Sequence, residues 1–284
     1  MNYLHTAARE TLHAILNHKI IFGLLIVLQL LIFTTIGLTT ATYVGKVIEG
    51  TQGVLEQANT ANVDPQKIQA GQPFLNDLTP IYKSYQMMKD NFIRWLEWIF
   101  LIVITLCASV WLVSHLLLAE KNNLSWKQKV KLYGKSWLRF TILVIIFAII
   151  LYFIFTIMIK AAFFNDPDQE HLIFRIKVAL SITAMIYYFL LIFAAQLTAP
   201  TEKSFFKRSL SSGLLNIQYS LLVLFISWVA IYGAAALLGY VVQNISSFLL
   251  LFLTTLLFTT VIVLSRLFWI KTQQILSSST EEQR

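Results

Sequence analysis

Residues 125–137 read SWKQKVKLYGKSW and carry the densest positive charge in the chain. Wound as a helix, the stretch sets Trp126, Val130, Tyr133 and Trp137 on one face and Lys127, Lys131 and Lys135 on another. It lies between two long apolar runs, so this pattern predicts a helix lying in a membrane interface. The lysines then show which side of the membrane that interface faces.

The composition around it agrees. Charged residues make up 13% of the 284 and hydrophobic residues 57%, whereas soluble domains carry about 25% charged and about 45–50% apolar residues. That excess of apolar surface needs lipid as its solvent. The net charge of +8 would point to nucleic acid in a soluble protein. Here its placement beside apolar runs points to topology, and no nucleic-acid partner is expected. The single cysteine, Cys107, sits in an apolar run and forms no disulfide within the chain. The first apolar run, residues 20–45, far exceeds the ~7–15 residues of a signal-peptide core, so it reads as a retained first span.

A membrane helix needs about 20 mostly apolar residues. Spans are predicted near 20–44, 96–118, 139–159, 176–199, 217–242 and 248–270, as a single six-helix membrane domain over 1–271. The polar turn Gln243–Ser247 divides the longest run, and Pro200 stops the fourth span. With the N-terminus inside, the inner side holds fourteen cations against five acids and the outer side eight against nine. The excess of Lys and Arg predicts a multi-pass cell-membrane protein with both termini cytoplasmic, and a short polar tail over 272–284.

One sizeable outer segment, 46–95, is expected. Gly50, Gly53, Pro65, Gly71 and Pro73 make its first half irregular or weakly helical. Thr79 as N-cap and Pro80 at the first helical position start a helix in its second half. The apolar spacing Ile81, Tyr85, Met88, Phe92, Trp95 carries that helix toward the second span. An internal repeat is also visible. A shift of eighty residues places Trp126, Val130, Tyr133 and Trp137 on Phe206, Leu210, Gly213 and Ile217. Leu4, Ala8, Thr11 and Ile15 form a fainter third copy. Each copy would be a basic amphipathic helix followed by a two-helix hairpin.

The segments Ser125-Trp126-Lys127 and Ser204-Phe205-Phe206-Lys207, each ahead of paired spans, resemble prokaryotic six-helix membrane proteins. These are like the membrane domain attached to some glycerophosphodiester phosphodiesterases. That resemblance implies the six-helix architecture and carries over no functional residue. A second resemblance is to ABC-exporter permease subunits. It rests on the helix from Ala7-Ala8-Arg9-Glu10 to Lys19, on Glu120 and on Gly134-Lys135, though the interval between the last two is shorter than in that family. It implies a permease that pairs with a separate ATPase.

Motifs for chemistry are missing. There is no phosphate-cradling G-x-x-x-x-G-K-[ST], no H-E-x-x-H and no G-x-S-x-G. His5, His13, His18, His115 and His171 are scattered, and the five-residue step from His13 to His18 does not put two ligands on one helical face. Asp166, Asp168, Glu170 and His171 form the best polar cluster. It reads as a cation site or, more simply, as a solvated loop. Asn244-Ile245-Ser246 matches a glycosylation acceptor but sits in a tight turn.

No charge is expected deep in any span, which argues against a proton- or sodium-coupled pump. Among neutral polar groups, Gln29 and Gln196 stand out as intramembrane contacts, either hydrogen-bonded across helices or touching a substrate. Ala230, Gly233, Ala234, Ala235 and Gly239 form a small-residue surface for close helix packing. Lys127, Lys129, Lys131, Lys135, Lys207 and Arg208 are candidates for contact with anionic inner-leaflet lipid or a protein partner. The expected protein is all-α and polytopic, with six spans and amphipathic interfacial helices. It uses no cofactor or metal and is not an enzyme. Its role reads as a scaffold, lipid-interacting or assembly component, with a transporter permease subunit as the alternative.

Overall fold

The computed structural model describes residues 2–60, 79–119, 126–164, 169–199, 201–245 and 247–282. Regular structure among them is helical throughout, with no strand. In chain order the helices are α1 (Asn2–Asn17), α2 (Lys19–Thr60), α3 (Thr79–Ile102), α4 (Ala108–Leu118), α5 (Trp126–Phe164), α6 (Gln169–Ala195), α7 (Glu202–Leu210), α8 (Ile217–Asn244) and α9 (Phe248–Glu282). Two single π-helical turns interrupt them, Val103–Cys107 before α4 and Ser211–Leu215 before α8. Among the described residues six helices are long and apolar enough to cross a membrane: Lys19–Gln57, Thr79–Leu118, Val130–Ile154, Ile173–Ala195, Ile217–Asn244 and Phe248–Ser278. The chain is an all-α, polytopic integral membrane protein.

Contacts divide it into two units, Leu31–Thr105 and a larger one formed by Met1–Leu30 with Leu106–Arg284. In the smaller unit the helices outrun the sequence expectation. α2 continues through residues 46–60, where an irregular loop is predicted, and α3 starts at Thr79 and runs straight on. At ~1.5 Å per residue α2 is roughly 63 Å long, about twice the ~30 Å hydrocarbon layer.

Glycine in a helix costs about 1 kcal/mol relative to alanine. Here it permits a close crossing that offsets that cost. A Cβ on Gly50 would stand 3.0 Å from Met88 Cβ and from the Ser84 carbonyl, and one on Gly53 would stand 2.9 Å from Ser84 Oγ. Further along the same pair, Trp95 Nε1 donates to Thr40 Oγ1 at 3.3 Å. Pro65, Gly71 and Pro73 lie outside the described residues.

In the larger unit α8 packs along α9, α5 along α6, and α1 against α9 and α4. The fully buried Leu117, Ile192, Leu197, Leu267, Ile270 and Leu276 cluster where α4, α6 and α9 finish. Elsewhere the spans present residues such as Ile149, Phe225, Trp228 and Phe252 outward. In lipid that exposure has no hydrophobic penalty, since hydrocarbon is as apolar as these side chains.

Two more expectations change. The basic stretch over 126–137 is no separate interfacial helix, because nothing stronger than Gly134 breaks it and α5 runs on into the third span. The stretch over 202–210 does stand alone. Thr201 caps it by accepting from Ser204 N–H, Ser204 Oγ answers from inside the turn, and the π-helical turn follows. The polar tail from Thr272 also proves helical to Glu282. Its Thr272, Gln273 and Leu276 are fully buried, and Gln273 is hydrogen-bonded to Gln196 and to Ser220 of α8.

Candidate functional site

The polar chemistry of the larger unit gathers at the end where its core lies. α6 unwinds after Ala195, which leaves carbonyls at Leu197 and Ala199 without helical partners. Arg139 of α5 answers both, with Nη1 donating to Leu197 O at 2.8 Å and to Ala199 O at 2.7 Å. Ser136, one turn earlier, donates to Leu197 O at 3.1 Å. The remaining guanidinium nitrogens grip Glu202 at the start of α7, Nε at 3.1 Å and Nη2 at 2.9 Å. Lys135 adds a second ion pair to that carboxylate at 3.0 Å. Phe205 lies under the guanidinium, 4.9 Å from ring centroid to Cζ. The Arg139 guanidinium, and after it the Lys135 ammonium, hold the Glu202 carboxyl below the usual carboxylate range.

A second network joins α6, α8 and α9. Gln196 Nε2 donates to Gln273 O at 3.1 Å, and Gln273 Nε2 donates to Ser220 Oγ at 3.0 Å. The Ser220 hydroxyl passes on to Ser212 O at 3.2 Å, and Tyr188 Oη donates to Gly213 O at 3.0 Å. Ser212 and Gly213 belong to the π-helical turn, whose widened winding frees backbone carbonyls for side-chain donors.

Deeper along α9, Arg266 donates to Gln29 of α2 and lies over the Trp111 ring at 5.8 Å. Its Nη1 is buried and has no hydrogen-bond partner. So a charge does enter the bundle, contrary to the sequence expectation. Arg266 lies at the margin of its apolar run, and nothing in that run shows that the side chain turns inward toward Gln29. His115 is buried and Nε2 donates to Ala194 O at 2.9 Å.

At the same end α1, the close of α4 and Lys271 of α9 enclose a cavity of about 530 Å³. His5, Arg9 and His13 recur every four residues along its α1 wall, with Asn17 one further turn on and His18 at the break. Lys271 stands opposite and is held by Glu10 at 2.8 Å. Leu117 and Leu118 supply an apolar wall. Among the described residues no group of three or more His, Cys, Asp or Glu is placed to hold a metal ion.

The sequence candidates fall out unevenly. Gln29 and Gln196 are buried and hydrogen-bonded across helices. Lys127, Lys131 and Lys207 are exposed, Arg208 is half-buried, and Lys135 is committed to Glu202. The Lys129 side chain, Glu120 and the cluster at Asp166 and Asp168 lie outside the described residues, as do the side chains of Glu170 and His171. Of the small-residue surface, Ala234 is buried, Ala235 is half-buried and Ala230 is exposed. A Cβ built on Gly233 or Gly239 would meet no other atom within 4 Å beyond its own helix backbone.

Arg139, Glu202, Arg266, Gln273 and the α1 cavity were not singled out by sequence. Arg139 and Glu202 stand 63 residues apart, which no local pattern connects. The four-residue rhythm from His5 to Asn17 was the one legible signal. Comparison with protein-family models, with curated proteins and with solved structures finds no match for this chain.

Proposed function

We propose that the protein is a non-enzymatic integral membrane component that engages anionic lipid at its basic end, with both termini on the cytoplasmic side of the cell membrane. The observation that carries this reading is the corner between α5 and α7. There the described acid, Glu202, is taken by Arg139 and Lys135. Lys127, Lys131, Lys203 and Lys207 remain exposed and without a partner among the described residues. Each such cation near an anionic membrane surface contributes about 1 kcal/mol of attraction. The networks inside the bundle fit the same role. Gln196, Gln273, Ser220 and Arg139 are committed to one another or to backbone carbonyls, as structural ties are, and none is held free for a substrate.

The test is purification after gentle solubilisation, followed by identification of whatever stays bound. A structural or assembly component keeps anionic lipid, and stable membrane partners, through size exclusion. Co-purification of an ATPase, abolished by charge reversal at Lys127 and Lys131, would overturn the proposal in favour of a permease subunit. So would a lone chain with no lipid preference.

A further inference from the structure

We infer that the cavity between α1, the end of α4 and Lys271 is a binding site for a single phosphate-bearing headgroup, distinct from the lysines at the α5–α7 corner. Its size is right for one small group, since pockets for small ligands run about 300–1,000 Å³ and this one is about 530 Å³. Its chemistry is one-sided. Arg9 and Lys271 bring positive charge, while His5, His13, Asn17 and His18 bring further ring and amide nitrogens. Among the described residues the wall carries one carboxylate, Glu10, which is paired with Lys271 at 2.8 Å. Arg9 has no partner among the described residues, so its five donors are available to phosphate oxygens, which a guanidinium matches in pairs. The Asn17 amide lies 3.1 Å from His13 Nδ1 and steadies that ring.

A metal fits less well. Among the described residues no three ligating groups converge, and the Arg9 guanidinium would repel a metal ion. The surroundings favour a lipid headgroup over a free anion. Leu117 and Leu118 back the cavity with their buried side chains, and the apolar surface beside it is on α1, where Leu12 and Leu16 stand 58% and 56% exposed. An acyl chain leaving a bound headgroup would meet that surface. Phosphate is the shared chemistry, and a lipid phosphodiester or a soluble phosphate could supply it.

This inference rests on the lipid-engaging reading above, and one experiment separates the two. The full chain is analysed by native mass spectrometry at high salt in three conditions: with phosphatidylglycerol, with phosphatidylcholine, and with sn-glycerol 3-phosphate. One phosphatidylglycerol per chain is expected to survive high salt, which strips diffuse lysine contacts. Arg9→Gln with His13→Gln should weaken it by about tenfold or more, while neutralising Lys127, Lys131, Lys203 and Lys207 should leave it in place.

Equal retention of sn-glycerol 3-phosphate supports the site and assigns its ligand to the soluble pool. Equal retention of phosphatidylcholine, or undiminished binding in the Arg9/His13 variant, overturns the inference. Arg9 and His13 are exposed, so folding should survive their replacement, and His5→Gln gives an independent second variant with the same expected direction. Loss of the corner effect with retention in the cavity would refute only the earlier reading, and the reverse would refute only this one.

Discussion

Arg139 and Glu202 meet at 2.9 Å across 63 residues of chain, and the same guanidinium closes the two carbonyls that α6 leaves open. The two partners are not equal. Arg139 is 6% exposed and makes several hydrogen bonds, whereas the Glu202 side chain is 58% exposed. Replacing Arg139 by Gln therefore strands buried carbonyls and should cost about 2–4 kcal/mol. Glu202→Gln removes a solvent-screened ion pair and should cost under about 1 kcal/mol. Thermal unfolding in a fixed detergent checks the order, and a larger loss in Glu202→Gln would contradict it.

The same pair sets a pH response. The folded Glu202 carboxyl titrates lower than in the unfolded chain, because the Arg139 and Lys135 cations favour its charged form. Its contribution is thus fully present above the ordinary glutamate value of about 4.3 and is lost as pH falls through the lower folded value. Protection of the α7 amides, referred to the intrinsic exchange rate at each pH, should fall over that acidic window in the native chain. Glu202→Gln should show the lower protection already at neutral pH, with no step on acidification.

Arg266 and Gln29 should behave as a coupled unit. Gln29→Leu leaves a buried guanidinium with one partner fewer, at a cost of about 1–2 kcal/mol, in keeping with interhelical polar contacts in membranes. Once Arg266 is also replaced by Leu, the second site no longer needs that partner. The double variant should then lose less than the sum of the single variants. Strict additivity measured by reversible unfolding would show that the two side chains do not depend on each other.

In the smaller unit, Gly50→Val should be disruptive while Gly45→Val is not. A Cβ at Gly50 meets Met88 and Ser84 backbone atoms at 3.0 Å, and one at Gly45 meets nothing within 4 Å. Limited proteolysis of α2 and α3 should accelerate in the first variant alone.

Much of the fold was legible because its signal is local. Six apolar spans need only neighbouring residues to be read, whereas Pro200 lies outside the described residues. Helix length was less legible. Glycines at 50 and 53 look like loop formers until α3 is seen pressed against them, and a polar tail looks solvated until Gln273 is seen bonded to Ser220. The site was the least legible part. Glu202 reads as one acid in a basic loop, and Arg266 as a topological marker at a span's edge. Their partners are fixed by how the helices pack, which no spacing rule contains. Gln29 and Gln196 were recognisable only because an amide in hydrocarbon must find a partner.

The exposed lysines of the α5–α7 corner are proposed to gather anionic lipid. Extracting the protein with its surrounding membrane into native nanodiscs and measuring the lipids by mass spectrometry tests this. The native chain should be enriched in anionic lipid over the bulk membrane. Replacing Lys127, Lys131, Lys203 and Lys207 together by Gln should bring that enrichment down to what the α1 cavity alone retains. An unchanged lipid profile in the four-lysine variant, or none enriched in the native chain, would overturn that role for the lysines.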